Sequence, residues 1–181
     1  VSCDGAVYEA RIPPRLPAGP VVVGDEVVWR ESGDERVITA IVPRRTLLQR
    51  AQGIDGPRRP IAANADLLVV VESLSNPAPR PTLIDRYLVA GRVGGLEPLI
   101  VLTKADQADA QSAAHLADLY RRLGFTVLVG NAKDADFVEQ VRAAIGGRVG
   151  ALVGQSGVGK STLTRLLTGV DLASGQFQYV A

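Results

Sequence analysis

The fold of this chain is decided by Gly154-Gln155-Ser156-Gly157-Val158-Gly159-Lys160-Ser161, with Thr162 directly after it. The stretch matches the pattern G-x-x-x-x-G-K-[ST], which forms a phosphate-binding loop where a strand passes into a helix. Glycine permits backbone angles that turn several N–H groups toward one anion, and the N-terminus of the following helix adds partial positive charge. We therefore expect residues 154–162 to bind a nucleotide, with the Lys160 ammonium on the β- and γ-phosphates and the Ser161 hydroxyl on Mg²⁺. A glycine-rich turn without a ligand is the alternative.

The sequence before this loop alternates between strand and helix patterns. Apolar runs predict strands over residues 65–71, 98–102, 126–129 and 149–153, and periodicity predicts helices over 82–93, 111–123, 136–145 and from Lys160. Because the strands are apolar on both faces, we predict an α/β fold with a parallel sheet covered by helices. The side chains predicted to face the core are Leu116, Leu119, Tyr120 and Leu123 in the second helix, and Phe137, Val138, Val141 and Ile145 in the third.

A second candidate loop, Thr103-Lys104-Ala105-Asp106, follows the predicted strand 98–102. It matches [NT]-K-x-D, a motif that reads the base in guanine-nucleotide sites. Guanine presents two adjacent donors, and the Asp106 carboxylate is able to accept both, whereas adenine would leave that carboxylate partly unpaired. We expect the Lys104 stem to lie along the base plane and to tie this loop to the phosphate loop. The alternative is an ordinary polar loop.

A third candidate loop, Asn131-Ala132-Lys133, follows the predicted strand 126–129. It partly matches the Ser-Ala-Lys loop whose backbone amides lie near the guanine oxygen; the alternative is a loop that leads to a helix cap at Asp134 or Asp136. Both base-reading loops precede the phosphate loop, which reverses the usual order. A circular permutation explains that order, since the termini of compact domains often lie close together. We place the join at residues 146–148.

The N-terminal region, residues 1–58, is predicted to be a small β-barrel, and residues 59–181 a separate domain. Strands are predicted over 26–31, which contains Trp29, and 36–42, and a linker over 52–60. The pattern fits an OB-fold, and an SH3-like barrel stays open. Residues 36–59 carry six Arg against one acid, Asp55. Such a patch favours RNA, with a solvated loop as the alternative; Trp29 is expected in the barrel core.

The amino-acid composition indicates which classes of protein the chain fits. The chain is 46% hydrophobic and 22% charged, as in globular proteins. No apolar run approaches the ~18 residues that a membrane span needs, so we expect no membrane association and a cytoplasmic location. One Cys and one His are too few for a structural zinc site within this chain. Met is absent, so the chain is expected to be part of a longer protein.

Taken together, these motifs resemble one family, the circularly permuted, small-ribosomal-subunit-dependent GTPases of the RsgA (YjeQ/EngC) type. The resemblance covers nearly the whole chain and rests on Val23-Gly24-Asp25, Pro43-Arg44-Arg45, Arg59-Pro60-Ile61-Ala62-Ala63-Asn64, Ile84-Asp85-Arg86-Tyr87-Leu88, Thr103-Lys104-Ala105-Asp106 and Gly154–Thr162. It implies an N-terminal OB-fold barrel that contacts rRNA, followed by a permuted P-loop GTPase domain that is incomplete here. It also implies GTP/GDP and Mg²⁺ as ligands, GTP hydrolysis stimulated by the small ribosomal subunit, and a role in late small-subunit maturation. We expect a monomer, and zinc only in the family's C-terminal extension, outside this chain.

The catalytic residues are left unassigned, because no D-x-x-G loop stands at a suitable place in the sequence. Two other functions stay open. An ATPase of ABC type is suggested by the local match at Ser156–Thr162, although such domains carry this loop near their start. An RNA-binding module with a regulatory nucleotide site is the third reading.

Overall fold

The chain forms two compact units, Val1–Asn64 and Ala65–Ala181. The structure is a computed structural model, and it describes residues 1–51, 56–169 and 178–180. Residues 52–55, in the predicted linker, lie outside the described residues. The predicted boundary after residue 58 is wrong, because residues 58–63 form a strand that pairs within the first unit.

The first unit consists of antiparallel hairpins. Its strands are β1 (Ser2–Cys3), β2 (Ala6–Val7), β3 (Val27–Ser32), β4 (Glu35–Ile41), β5 (Leu47–Ala51) and β6 (Arg58–Ala63). They pair as β1–β2, β3–β4 and β5–β6, and the ladders β3–β4 and β5–β6 each carry a register shift. Such bulges bend strands, as a small barrel requires. The predicted linker is wrong at residues 58–60, which belong to β6: Pro60 lacks an N–H, but it stands opposite Gln49, beside the bulge, where a strand tolerates proline.

A buried ion pair holds the loops of this unit. Arg44 donates from Nε to Oδ1 of Asp25 at 2.7 Å and from a terminal nitrogen to Oδ2 at 2.8 Å and to the Pro20 carbonyl at 2.8 Å. Asn64 accepts the Arg45 N–H at 2.8 Å and donates to the Gly24 carbonyl at 2.9 Å. The residues that make these bonds belong to three of the stretches quoted above, 23–25, 43–45 and 59–64, so each stretch has a structural role in this unit.

The second unit is an α/β domain. Its elements are β7 (Leu67–Ser73), α1 (Pro81–Val93), β8 (Glu97–Thr103), α2 (Ala110–Arg122), β9 (Thr126–Val129), α3 (Ala135–Ile145), β10 (Gly150–Val153), α4 (Lys160–Thr168) and β11 (Gln178–Val180). The sheet order is β11-β10-β7-β8-β9; the four strands from β10 to β9 are parallel, and β11 is antiparallel. Every predicted strand and helix of this unit is present within two residues of its predicted ends.

The helix faces test the periodicity predictions. In α3 the buried residues are Phe137, Val138, Val141 and Ile145, as predicted. In α2 the prediction for Leu119 and Leu123 is wrong: they are 37% and 61% exposed. The buried seam of α2 uses small residues instead, Ala113 and Ala117 beside Leu116 and Tyr120. Alanines let this helix approach the sheet closely, and the large leucines stand just outside the contact.

The predicted α/β fold is confirmed: an N-terminal unit of antiparallel β-hairpins is followed by an α/β domain with a parallel sheet. In the described ranges, no helix has the length and hydropathy needed to cross a membrane.

Candidate nucleotide-binding site

The candidate loops of the second unit emerge at one edge of the sheet. The parallel strands β10, β7, β8 and β9 all end there, and this is where open α/β sheets bind ligands. Backbone bonds join neighbouring loops, since Ala105 donates its N–H to the Gly130 carbonyl at 3.1 Å. The register of the sheet therefore brings the three motifs found in the sequence to a common edge.

The phosphate loop has the backbone that its glycines were expected to provide. Gly154 has a φ of +149°, and a Cβ there would lie 2.1 Å from the Val71 carbonyl oxygen. Gly157 and Gly159 also have positive φ angles, and Gly159 caps α4. Only glycine fits at position 154, so the loop lies against β7 and its N–H groups stay free to turn toward an anion.

The Lys160 ammonium lies inside the curve of this loop. Its Nζ donates to the Gly154 carbonyl at 3.0 Å and to the Gln155 carbonyl at 2.5 Å. Burial lowers the pKa of Lys160, while the charge of Glu72 acts in the opposite direction. A partly desolvated cation that donates to neutral carbonyls is well suited to bind phosphate oxygens.

The first turn of α4 carries Ser161 and Thr162, which are both half-buried. Among the residues that the structure describes, the Ser161 hydroxyl has no hydrogen-bond partner, so its oxygen is available to a ligand. A hydroxyl oxygen beside a phosphate site is a hard ligand of the kind that Mg²⁺ prefers. No cluster of three or more His, Cys, Asp or Glu side chains that could hold a metal ion occurs in the described part of the chain.

Two side chains of the second loop hold it to the phosphate loop. Thr103 is fully buried, and its hydroxyl donates to the Val158 carbonyl at 2.6 Å. Lys104 donates to the Gly157 carbonyl at 2.8 Å and to the Asn76 carbonyl. The tie expected between Lys104 and the phosphate loop is thus present. Asp106 lies in a single 3₁₀ turn after Lys104, with its carboxylate exposed.

The third loop leads into a helix cap, as the alternative reading of its sequence predicts. The Asn131 side chain accepts the Lys133 N–H at 2.9 Å, and Ala132 is buried. Asp134 caps α3 by accepting the Asp136 N–H at 3.0 Å, so the loop does lead to a helix cap. The cap is compatible with a role for residues 131–133 at the nucleotide, because it fixes where α3 begins and hence where the loop lies.

Sequence reasoning missed Glu72, which lies near the carboxyl end of β7 and is fully buried. Its Oε1 accepts a hydrogen bond from the Gln155 side chain at 2.8 Å. The predicted strand ended at residue 71, one position too early to include it. The available signal was an acid directly after a run of buried valines, next to the edge where ligands bind.

A separate candidate surface lies on the hairpin β5–β6 of the first unit. Arg50 stands directly opposite Arg59, and Ala51 opposite Arg58, and all three arginines are exposed. Like charges directly opposite one another destabilise a hairpin unless an anion joins them. The arginines at positions 36, 44 and 45 are different, since each bonds or stacks within the first unit.

Trp29 is half-buried rather than enclosed. Its ring centroid lies 6.5 Å from that of Tyr8, and the Arg36 guanidinium stands over both rings. Trp29 therefore packs in a small aromatic cluster at the edge of the unit, which is only partly the core position that we predicted.

Comparison with known proteins gives one family. Residues 41–178 match the family model "RsgA GTPase". The chain is 41% identical, over 99% of its length and 53% of the relative's, to the small ribosomal subunit biogenesis GTPase RsgA of Pseudomonas aeruginosa (strain LESB58). It is 44% identical to the protein of the same name from Pseudomonas fluorescens, over 90% of this chain and 48% of the relative. The chain thus spans about half the length of the curated relatives it matches.

Two solved structures have a similar fold. YjeQ from Thermotoga maritima superposes with a TM-score of 0.66 at 24% identity, over 91% of this chain and 61% of that chain. YloQ, described as a circularly permuted GTPase, superposes with a TM-score of 0.61 at 27% identity, over 91% of this chain and 58% of that one. The reversed order of the loops agrees with a circular permutation.

Proposed function

This chain belongs to the RsgA GTPase family, and on that basis we propose that it binds GTP and GDP and that the whole protein hydrolyses GTP during maturation of the small ribosomal subunit. The observation that carries the proposal is the pair of bonds from Thr103 and Lys104 to the phosphate loop. They hold a loop that ends in an exposed carboxylate beside a loop built for phosphates. That arrangement selects a guanine nucleotide over a bare phosphate.

Each loop has a separate task in this proposal. The Asp106 carboxylate accepts the N1–H and 2-amino donors of guanine, and the Lys104 stem covers one face of the base. Residues 131–133 supply backbone N–H groups near the guanine oxygen. Residues 154–162 surround the phosphates, with Lys160 exchanging its carbonyl partners for phosphate oxygens when nucleotide binds.

Mg²⁺ belongs to the same proposal, with Ser161 as the residue of this chain that would hold it. When bound, Mg²⁺ would supply positive charge that offsets the negative charge of the phosphates. Ser161 contributes its hydroxyl oxygen from the first turn of α4, so the position of the helix sets the position of that oxygen.

The decisive test is the preference for GDP over ADP, measured by calorimetry on the chain and on Asp106→Asn. We expect Asp106→Asn to lose about 100-fold in GDP affinity, because two charge-assisted hydrogen bonds are lost. The matched control is Asp118→Asn, which changes an exposed carboxylate on α2 and should bind GDP as the wild type does. Equal binding of GDP and ADP by the wild type would contradict the proposal and favour the ATPase reading.

We further propose that the partner is the small ribosomal subunit through its rRNA, that the protein is a cytoplasmic monomer, and that the hairpin β5–β6 contacts RNA phosphates. The support is the exposed Arg50–Arg59 pair. Replacing both with Gln should lower the salt slope of small-subunit binding by about 1.4, at roughly 0.7 per phosphate contact. Arg86→Gln with Arg122→Gln, two exposed arginines of the second unit, is the control. An unchanged slope in the hairpin variant would place the RNA surface elsewhere.

A further inference from the structure

Glu72 lies under the phosphate loop, and one of its two carboxylate oxygens has no hydrogen-bond partner among the described residues. Oε1 accepts the bond from Gln155, the second residue of that loop. Oε2 is buried, and it has no hydrogen-bond partner within the described ranges. A buried carboxylate oxygen without a partner is costly, so it calls for a proton, a water molecule or a ligand.

The groups around Glu72 have opposing effects on its charge. Burial raises its pKa above the ordinary value, while the Gln155 side chain and the Ser73 N–H act in the opposite direction. The charged or titratable groups that face it from the neighbouring elements are Lys160 of α4, Arg80 before α1, and Tyr120 of α2, whose hydroxyl donates to Asp85 of α1 at 2.9 Å. Of these, Lys160 is the cation that a nucleotide would engage.

Nucleotide binding changes this balance. The phosphates bring several negative charges to the loop that Glu72 touches, and they take up the Lys160 ammonium. Both changes disfavour an ionised carboxylate close by. A protonated carboxyl group keeps its bond from Gln155, because its carbonyl oxygen still accepts, and it removes the unpaired buried charge.

We propose that Glu72 is a positioning residue of the nucleotide site, which holds the phosphate loop through Gln155 and becomes more protonated, drawing on solvent, when a guanine nucleotide binds. The inference rests on the proposed function, since it requires the loop to bind nucleotide. It gives binding a definite dependence on pH. Affinity is highest at low pH, falls as pH rises through the titration range of Glu72, and levels off above it.

The test compares GDP binding by wild type and Glu72→Gln between pH 5.5 and 8.5. Gln keeps the shape and the acceptor for Gln155 but carries no charge. We expect Glu72→Gln to bind GDP about tenfold more tightly than wild type at pH 8, equivalent to one unit of pKa shift, and to lose the Glu72 part of the pH slope. The phosphate of GDP itself titrates at about pH 6, so the difference between the two proteins is the quantity that counts. Glu139→Gln, an exposed Glu on α3, is the control and should follow the wild type.

A second measurement uses wild type alone and keeps the test valid if Glu72→Gln does not fold. Calorimetry of GDP binding at several pH values between 5.5 and 8.5, in two buffers of different ionisation enthalpy at each pH, counts the protons taken up. Net uptake beyond that of GDP binding to an unrelated GTPase supports the inference. Equal slopes in the two proteins, or no extra uptake by wild type, would overturn it while leaving the proposed function intact. Absence of GDP binding by wild type at every pH would overturn both.

Discussion

Arg44 offers the sharpest test of how the N-terminal unit is held together. The sequence suggests that it belongs to an RNA-binding patch, whereas the structure places it in a fork-shaped pair with Asp25. The two readings predict different phenotypes for Arg44→Ala. If the pair with Asp25 is what Arg44 serves, Arg44→Ala lowers the free energy of unfolding of the N-terminal unit, and any loss of RNA affinity is a consequence of that unfolding.

The burial of the two paired side chains sets how much stability Arg44→Ala should remove. The Asp25 side chain is fully buried and that of Arg44 is 14% exposed. Removing one partner of a buried pair leaves an uncompensated charge and costs about 3–5 kcal/mol. We expect the lower end, about 3 kcal/mol, because Arg44 keeps some contact with water. A unit of this size has a total stability of roughly 3–10 kcal/mol, so the loss is a large part of it.

Trp29 makes the measurement selective, because it is the only tryptophan of the chain and lies in the first unit. Its fluorescence during urea unfolding reports on that unit alone. With a slope of about 1 kcal/mol per molar urea, Arg44→Ala should lower the midpoint by about 3 M. The control is Arg45→Ala, which removes an exposed bond to the Asn64 carbonyl and should cost less than about 1 kcal/mol. Equal midpoints for the two variants would refute the structural role of Arg44.

Three further outcomes follow from the contacts described above. Gly154→Ala should abolish GDP binding in calorimetry, because its Cβ would lie 2.1 Å from the Val71 carbonyl oxygen. Thr103→Val should lower the free energy of unfolding of the second unit by about 1–3 kcal/mol, because the Val158 carbonyl loses its buried hydrogen-bond donor. Burial acts to raise the pKa of Asp25, but its hydrogen bonds outweigh that effect and hold the pKa below 3.8. The first unit should therefore be stable above about pH 4 and lose this contribution as pH falls further, and urea midpoints of wild type at pH 7 and pH 3 measure the difference.

The sequence predicted the second unit well because its signals are local. Continuous apolar runs marked the buried strands, and the face of α3 followed from periodicity alone. The failures of α2 have a physical reason: Leu119 is a large apolar residue that periodicity counts, whereas Ala113 and Ala117 are the residues small enough for close packing.

The first unit was harder to predict because its key contacts join distant positions. Arg44 and Asp25 are separated by 19 residues. Counting charges along the sequence therefore indicates a patch of arginines and does not reveal the ion pair with Asp25. Likewise, Glu72 and Gln155 are separated by 83 residues. The folded arrangement of distant loops and strands, which local sequence patterns do not reveal, brings such side chains together.

The position of β10 has a kinetic consequence. This strand lies against β7, although 76 residues separate the end of one from the start of the other. Closing so long a segment is slow compared with forming neighbouring pairs such as β7 and β8. We expect the phosphate loop to assemble last, so that a newly made chain acquires its ligand only after everything else in the unit has formed. Stopped-flow refolding in the presence of a fluorescent GDP analogue should show the ligand signal lagging behind the recovery of helix.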